Sequence, residues 1–214
     1  MAQAPIAVIG SEFMAPYPFD IIIDRSSGGK MVITDINNKL LLKVKTCNTT
    51  FHNERAIYNA DGRLIVRLRD KILSGHNRWK AYRSDSRADK NLIFSTKEPS
   101  MIQFKTSLHV FLANKTSGED VCDFKMKGSW SKKKCKIYMG DSHSSSTTIA
   151  QMQKKDKSKK VKLSNKRFMV TIFPNVDYVF VVALIAIVDA MKSTEKEYAA
   201  KMMESTTQVI GATT

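Results

Sequence analysis

The chain has 214 residues and a formal net charge of +15, from 35 lysines and arginines against 20 aspartates and glutamates. With 43% hydrophobic residues it is long enough for one sizeable core, and nothing requires a second domain. The basic charge favours anionic partners, such as nucleic acid or acidic membrane surfaces, without choosing between them.

The N-terminal segment carries three prolines and no sustained periodicity, which predicts a flexible arm over residues 1–18. It also lacks the basic segment and long apolar run of a secretory signal. We therefore expect a cytoplasmic location, with the periphery of the plasma membrane and the nucleus as alternatives. Three cysteines without Cys-x-x-Cys spacing argue against a disulfide framework or a zinc knuckle. The expected free thiols are Cys47, Cys122 and Cys135.

Between Phe19 and Phe173, apolar side chains repeatedly occupy every second position. This pattern is typical of strands with one buried face. Turn sequences at Asn37-Asn38 and Asp61-Gly62 tolerate positive φ, so each is expected to join two strands in a tight hairpin. The residues between the apolar ones are mostly cationic, which predicts a sheet with one face in water. The clearest alternating runs are residues 40–45, 64–69, 122–127, 135–139 and 168–172.

The stretch Tyr178–Val188 is apolar on every side. A helix without a polar stripe must be surrounded by protein or lipid, and this run is shorter than the roughly 20 residues that span a bilayer. We predict a buried helix over about residues 176–191, with Asn175 as its N-cap and Asp177 in its first turn, followed by a polar tail over 192–214. Its buried length matches that of a strand, so a closed barrel could enclose it.

Four segments together resemble the plant LURP-one-related family, and the resemblance covers residues 15–191. It implies the fold of the Tubby C-terminal domain and the phospholipid scramblases. That fold is a closed antiparallel twelve-stranded β-barrel around a central hydrophobic C-terminal α-helix, here one domain over residues 19–191. The strand count comes from the resemblance alone. The four segments are VITDINNKLLLKVK, LRDKILSGHNRWKAYR, CDFKMKGSW and FPNVDYVFVVALIAIVDAM.

For function, the resemblance implies a non-enzymatic protein in plant defence signalling, and the likeness to Tubby implies a phosphoinositide held by basic residues. The chain lacks a calcium loop near the helix and a cysteine cluster for palmitoylation, which argues against lipid scrambling. No metal or other cofactor is indicated, since no histidine has a partner at metal-ligand spacing. The alternatives are a membrane-tethered, nuclear-relocating transcription regulator of Tubby type and an enzyme with a dispersed site.

Most of the charge lies between Cys122 and Arg167, where thirteen lysines and one arginine oppose three aspartates, a net of +11. Lysines attract anionic membranes, although a solvated hairpin tip that lysines keep soluble would look the same. The clusters lack interleaved aromatic residues, which disfavours sequence-specific nucleic-acid binding. The candidate lipid-headgroup contacts are Lys132, Lys133, Lys134, Lys154, Lys155, Lys157, Lys159 and Lys160.

The sequence thus predicts a monomeric binding or tethering module without a transmembrane span. Its expected partner is an anionic phospholipid, such as a phosphoinositide, bound through the lysines. If the lysines are only solvated, a protein partner takes the place of the lipid.

Overall fold

The computed structural model of the chain describes residues 4–50, 52–71, 78–83, 89–99, 106–114, 121–140, 148–153 and 166–211. Within them, twelve strands precede the helix α1 (Tyr178–Gly211), and short 3₁₀ helices occur at Ser11–Phe13, Ser27–Gly29 and Asp89–Asn91. The strands are β1 (Phe19–Arg25), β2 (Met31–Asp35), β3 (Leu40–Thr46), β4 (Glu54–Asn59), β5 (Leu64–Asp70), β6 (Arg78–Arg83), β7 (Leu92–Lys97), β8 (Thr106–Leu112), β9 (Phe124–Ser129), β10 (Lys134–Met139), β11 (Thr148–Gln153) and β12 (Arg167–Ile172).

The strands form one closed antiparallel barrel. Each strand pairs with its neighbours in the chain, and β1 pairs with β12 to close the sheet. Closure leaves no strand edge unpaired. Asn38 and Gly62 adopt φ of 64° and 84° in the turns that join β2 to β3 and β4 to β5, as the hairpin prediction requires. The predicted fold class, a twelve-stranded barrel around a C-terminal helix, is confirmed.

The alternating runs point their predicted residues inward. None of the three cysteines forms a disulfide in the described chain, and two of them, Cys122 and Cys135, are buried. Between the buried positions lie the cationic residues of the outer face, such as Lys43 and Lys136. The inward residues of these runs include Leu42, Val44, Val66, Leu68, Phe124, Met126, Ile137, Phe168, Val170 and Ile172.

Helix α1 fills the barrel. Every side chain from Val179 to Val188 is 0% exposed, and the ring of Phe180 meets those of Phe94 and Phe124 edge-on at centroid distances of 5.4 and 4.9 Å. The prediction of a buried helix is confirmed, and of the stretch Tyr178–Val188 only Tyr178 is half-buried. Its 34 residues extend about 51 Å at 1.5 Å per residue, so the helix outruns the barrel and continues through the predicted tail. In the described part of the chain, no helix is both long and apolar enough to cross a membrane.

The barrel has two mouths, which we name after the end of the buried helix that each surrounds. The N-terminal mouth surrounds Asp177, and the C-terminal mouth surrounds Asp189. Strands alternate in direction, so the turns after β2 and β4 lie at the N-terminal mouth, whereas the turns after β1 and β9 lie at the C-terminal mouth.

The N-cap of α1 is Asp177, so the prediction of Asn175 is wrong. Oδ1 of Asp177 accepts hydrogen bonds from the backbone N–H groups of Val179 and Phe180 at 2.9 and 3.1 Å. Asn175 instead takes φ of 60°, a left-handed conformation that asparagine tolerates. Its backbone carbonyl accepts a hydrogen bond from the N–H of Ile6 at 2.8 Å.

The N-terminal arm packs over the N-terminal mouth. Oδ2 of Asp177 accepts hydrogen bonds from the backbone N–H groups of Ile9 and Gly10 at 2.6 and 3.1 Å. Ile6, Ile9 and Phe13 are buried, and Phe13 meets Tyr178 edge-on at 5.8 Å. The prolines and the lack of periodicity predict a flexible arm, and they carry no signal of its partner, because the start of α1 lies 168 residues further along the chain.

Candidate anion-binding mouth of the barrel

The first of the two predicted lysine clusters lies at the C-terminal mouth. The β9–β10 turn presents Lys132–Lys134 there, because Lys134 pairs with Ser129 at the end of this hairpin. Strand β11 runs antiparallel to β10 and ends at the same mouth with Gln153. The chain is next described at Lys166, whose carbonyl accepts a hydrogen bond from the N–H of Arg25. The candidates Lys154, Lys155, Lys157, Lys159 and Lys160 lie outside the described residues.

The three lysines of the β9–β10 turn are not equivalent. Lys132 and Lys134 are exposed, whereas Lys133 is only 3% exposed. Lys133 takes φ of 52°, and its side chain is buried while those of Lys132 and Lys134 are exposed. Its ammonium lies 3.7 Å from the ring centroid of Trp130 and 4.7 Å from that of Phe168, a cation–π arrangement. The structure therefore removes Lys133 from the predicted surface contacts and leaves Lys132 and Lys134.

Burial changes the protonation of Lys133. Desolvation disfavours the ammonium and lowers the pKa of Lys133 to about 8, although the carboxylate of Asp189 acts in the opposite direction. The nearby Arg25 lowers the pKa of Lys133 further. Lys133 is thus a buried cation inside the mouth that loses its proton more readily than a surface lysine.

Asp189 is the buried carboxylate of this mouth, with 0% exposure. Its Oδ1 lies 2.6 Å from Nε of Arg25, yet neither carboxylate oxygen has an aligned hydrogen-bond donor within the described residues. Nη2 of Arg25 donates to Oγ of Ser193, one turn further along α1, at 3.1 Å. Burial raises the pKa of Asp189, while Arg25, Lys133 and Arg55 lower it.

Arg55 is the third cation near Asp189 and is only 4% exposed. Its Nη1 donates to Oδ1 of Asn48 at 2.9 Å and to the carbonyl of Glu54 at 3.1 Å. Desolvation lowers the pKa of Arg55, and Asp189 opposes this shift. The turn after β1 lies over the guanidinium: a Cβ at Gly29 would be 2.8 Å from Nη2 of Arg55, and Gly29 has φ of +74°. A glycine is needed there on both counts.

The C-terminal mouth therefore holds more positive than negative charge. Arg25, Arg55 and Lys133 all act on the carboxylate of Asp189. The same mouth holds two more buried carboxylates, Glu54 and Glu98. The oxygens of Glu54 lie 3.2 Å from Nη1 of Arg67 and 3.3 Å from Nε of Arg69, and Oε1 of Glu98 lies 3.7 Å from Nζ of Lys192. Burying unmatched charge is costly, and the surplus makes the potential outside the mouth positive. Further exposed cations surround it, namely Lys30, Lys132, Lys134, Lys166 and Arg167.

Positive charge also continues along the outer wall next to this mouth. Lys127 pairs with Lys136 across β9 and β10, and Arg78 pairs with Lys97 across β6 and β7. Like charges at directly opposed positions of a sheet are destabilising.

Arg25, Arg55 and Asp189 were not predicted as site residues. Each is a single charged residue beside an apolar or mixed run, and the three come from segments that are distant in the chain. The one available signal is a carboxylate that ends a wholly apolar helix. Such a residue has to be paired if the helix is buried up to its last turn.

The described residues show no arrangement typical of an activated nucleophile. Burial raises the pKa of Cys135 to about 12, so its thiol stays protonated and is a poor nucleophile. His52 lines a cavity of about 230 Å³ and has Nδ1 3.5 Å from Oδ1 of Asp70, but neither cysteine nor serine lines that cavity within the described chain. No group of three His, Cys, Asp or Glu side chains among these residues could hold a metal ion.

Comparison with known proteins gives the relationships of the chain. The family described as LURP-one-related matches residues 22–189. In Arabidopsis thaliana, the protein LURP-one-related 15 is 39% identical over 191 residues, which cover 87% of this chain and 86% of that protein. Protein LURP1 from the same plant is 36% identical over 212 residues, 97% of this chain and 98% of its own.

A solved structure agrees with the sequence relatives. The X-ray structure of an Arabidopsis thaliana protein superposes with a TM-score of 0.66 at 33% identity and covers 87% of this chain and 98% of its own. The matched residues 22–189 run from β1 to the carboxylate at the C-terminal mouth and so contain nearly the whole barrel. The chain belongs to the LURP-one-related family.

Proposed function

We propose that this protein is a non-enzymatic tethering module that binds anionic phospholipid headgroups at the C-terminal mouth of its barrel. One observation carries the proposal: the β9–β10 turn with Lys132 and Lys134 lies at the same mouth as Gln153 and Lys166, which flank the second predicted cluster. The described ends of the segment that contains the second cluster thus lie at the same mouth as Lys132 and Lys134.

The electrostatics of this mouth support the proposal. Lys30, Lys132 and Lys134 are exposed around a buried group whose charge is already positive. Each lysine near an anionic membrane contributes about 1 kcal/mol, so even three or four contacts give a reversible attachment. A fully buried Lys133 supports the mouth from inside and makes no contact of its own with a headgroup.

Helix α1 leaves the barrel through this same mouth. Residues 195–205 of α1 are exposed beyond the barrel and include both acidic and basic side chains. The membrane would lie beside the emerging helix, against the β1–β2 and β9–β10 turns. A protein partner with an acidic surface is the second candidate, because the same exposed lysines fit it. A role in plant defence signalling, as the family resemblance implies, fits either partner.

The test is co-sedimentation with vesicles of 70% phosphatidylcholine and 30% phosphatidylserine, with and without a few percent of phosphatidylinositol bisphosphate. We expect the wild type to bind, and to dissociate as salt shortens the Debye length from about 10 Å at 0.1 M to about 3 Å at 1 M. The double change Lys132→Glu with Lys134→Glu should abolish binding with an unchanged melting temperature, since exposed charges contribute little to stability. The triple change at Lys154, Lys155 and Lys157 to glutamate should do the same.

The matched control is Lys39→Glu with Arg63→Glu. Both residues are exposed in turns at the N-terminal mouth, and the change in net charge equals that of the Lys132/Lys134 variant. The control should retain binding. An equal loss of vesicle binding in both double variants would show that only net charge matters. If the wild type does not bind anionic vesicles at low salt, the protein partner becomes the first candidate.

A further inference from the structure

A second concave surface lies at the opposite, N-terminal mouth and is not used by the proposed function. It is a half-open cavity of about 440 Å³ between the N-terminal arm and the ends of β7, β8 and β9. That volume is within the range of small-molecule sites, about 300–1,000 Å³. Strand ends form the floor, and residues 5–8 of the arm form one wall.

Backbone hydrogen bonds hold the arm in place on both sides of Ala7 and Val8. The N–H of Ile6 donates to the carbonyl of Asn175 at 2.8 Å, and the N–H of Asp177 donates to the carbonyl of Ile6 at 3.1 Å. Beyond the wall, the N–H of Ile9 donates to Oδ2 of Asp177 at 2.6 Å. Because these bonds bracket Ala7 and Val8, the cavity is formed before any ligand arrives.

Half-buried apolar side chains converge in this cavity. Val8, Ile93 and Leu112 pack against the core and still line the open space. Phe124 lies beneath them, and its ring meets that of Phe180 in α1 at a centroid distance of 4.9 Å. A ligand with an apolar body would cover these side chains and contact a floor that rests directly on the central helix.

Two cations, Arg83 and Lys90, also line the cavity. Both are exposed. Among the described lining residues none is acidic, and neither cation forms an ion pair within the described chain. The amides of Asn91 and Asn114 add hydrogen-bonding groups. An apolar floor beside two cations is complementary to a molecule with an apolar body and one anionic head.

We propose that the cavity between the arm and β7–β9 binds a small amphiphilic oxyanion, whose apolar body covers Val8, Ile93 and Leu112 and whose head contacts Arg83 and Lys90. Arginine recognises carboxylate and phosphate heads bidentately, and lysine contributes a point charge. The site is separate from the lysines of the C-terminal mouth and takes one molecule from solution, so it stands independently of the membrane proposal.

The test uses the full chain in solution without vesicles. Isothermal titration calorimetry with decanoate, kept below its micelle concentration, should show saturable binding of one molecule per chain. Uncharged 1-decanol should bind about tenfold or more weakly, because it lacks the charge-assisted hydrogen bonds. Inorganic phosphate alone should give no detectable heat, because it lacks the apolar body. Equal affinity for decanoate and 1-decanol, or for decanoate and phosphate, would overturn the proposal.

Variants locate the site. Arg83→Ala with Lys90→Ala should weaken decanoate binding about tenfold or more and leave 1-decanol binding unchanged. The matched control, Lys39→Ala with Arg63→Ala, removes two exposed cations from the same mouth outside the cavity and should change neither. Ala7→Phe and Val8→Phe each add a larger side chain to the arm wall. At least one of these variants should lose decanoate binding with an unchanged melting temperature. Decanoate affinity that survives the double alanine variant, or both phenylalanine variants, contradicts the assignment.

Discussion

Each mouth of the barrel holds one buried aspartate at an end of the buried helix, and the two aspartates are stabilised in different ways. At the N-terminal mouth, Asp177 accepts hydrogen bonds from four backbone N–H groups, two in α1 and two in the arm. At the C-terminal mouth, Asp189 is surrounded by the side-chain cations Arg25, Lys133 and Arg55. Both aspartates are 0% exposed, so each would be costly without its partners.

The two solutions have different consequences. Backbone N–H groups are neutral, so Asp177 adds no surplus positive charge while it joins the arm to the helix. Cations bring more charge than one carboxylate cancels, so the C-terminal mouth becomes positive. We infer that Asp177 serves to hold the arm at the N-terminal mouth, whereas the surplus charge around Asp189 serves the proposed contact with an anionic membrane. Changes in the buried charges should separate these roles.

The largest effect is expected from a carboxylate placed away from both mouths. Leu184→Asp would put a charge at a position that is 0% exposed, with neither a helix N-terminus nor a cation to receive it. We expect a loss of several kcal/mol and no cooperative unfolding transition by circular dichroism. Leu184→Met conserves volume and should cost less than about 1.5 kcal/mol. A folded, soluble Leu184→Asp protein with the wild-type melting temperature would refute the buried-helix account.

Removal of the carboxylate at the C-terminal mouth comes next. Asp189→Ala removes the counter-charge shared by the half-buried Arg25 and the buried Arg55 and Lys133, and breaking such a group typically costs about 3–5 kcal/mol. Lys133→Met alone should be close to neutral. The double variant should recover part of the stability lost in Asp189→Ala, as measured by urea denaturation in a double-mutant cycle. Strictly additive changes in the free energy of unfolding would show that Asp189 and Lys133 do not interact.

The pH dependence of stability tests the burial of Lys133. Its pKa is about 8 in the folded protein, against an ordinary value of 10.5. Between these values the unfolded chain binds more protons, so the contribution of Lys133 to stability rises with pH. We expect the unfolding free energy of the wild type, minus that of Lys133→Met, to increase by roughly 3 kcal/mol from pH 8 to pH 10.5. A difference in unfolding free energy that does not change with pH would show that the ammonium of Lys133 is solvated.

A smaller effect is expected at the N-terminal mouth. Asp177→Ala removes the N-cap and leaves buried N–H groups unpaired, which costs about 2 kcal/mol. Hydrogen exchange should accelerate at the amides of Ile9 and Gly10. Vesicle binding should stay at the wild-type level, because the lysines of the C-terminal mouth are untouched. Exchange rates that do not change at Ile9 and Gly10 would show that Asp177 does not hold the arm.

Local patterns in the sequence are enough to predict the barrel and its buried helix. Alternation shows which side chains of β3, β5, β9, β10 and β12 face inward, and the uniform run from Tyr178 to Val188 shows that a helix must be enclosed. Both signals depend on neighbours in the chain. The strand count was available only through the family resemblance.

The residues that form the mouths cannot be identified from such local signals, because their partners are distant in the chain. Asp177 bonds to Ile9, and Arg25 pairs with Asp189, across more than 160 residues in each case. A lysine run is visible as charge, but the sequence does not show that Lys133 turns inward while Lys132 and Lys134 stay exposed. That difference depends on a left-handed φ at Lys133 and on the aromatic rings of Trp130 and Phe168.

The most direct test of the central claim measures which mouth faces the membrane. An environment-sensitive nitrobenzoxadiazole label is placed at Lys30→Cys, at the C-terminal mouth, or at Lys39→Cys, at the N-terminal mouth, each with Cys47→Ser to prevent labelling of the half-buried thiol. Vesicles with 30% phosphatidylserine should raise and blue-shift the emission at position 30 and leave position 39 unchanged. Binding accompanied by a change at position 39 alone, or by equal changes at both, would contradict attachment through the C-terminal mouth.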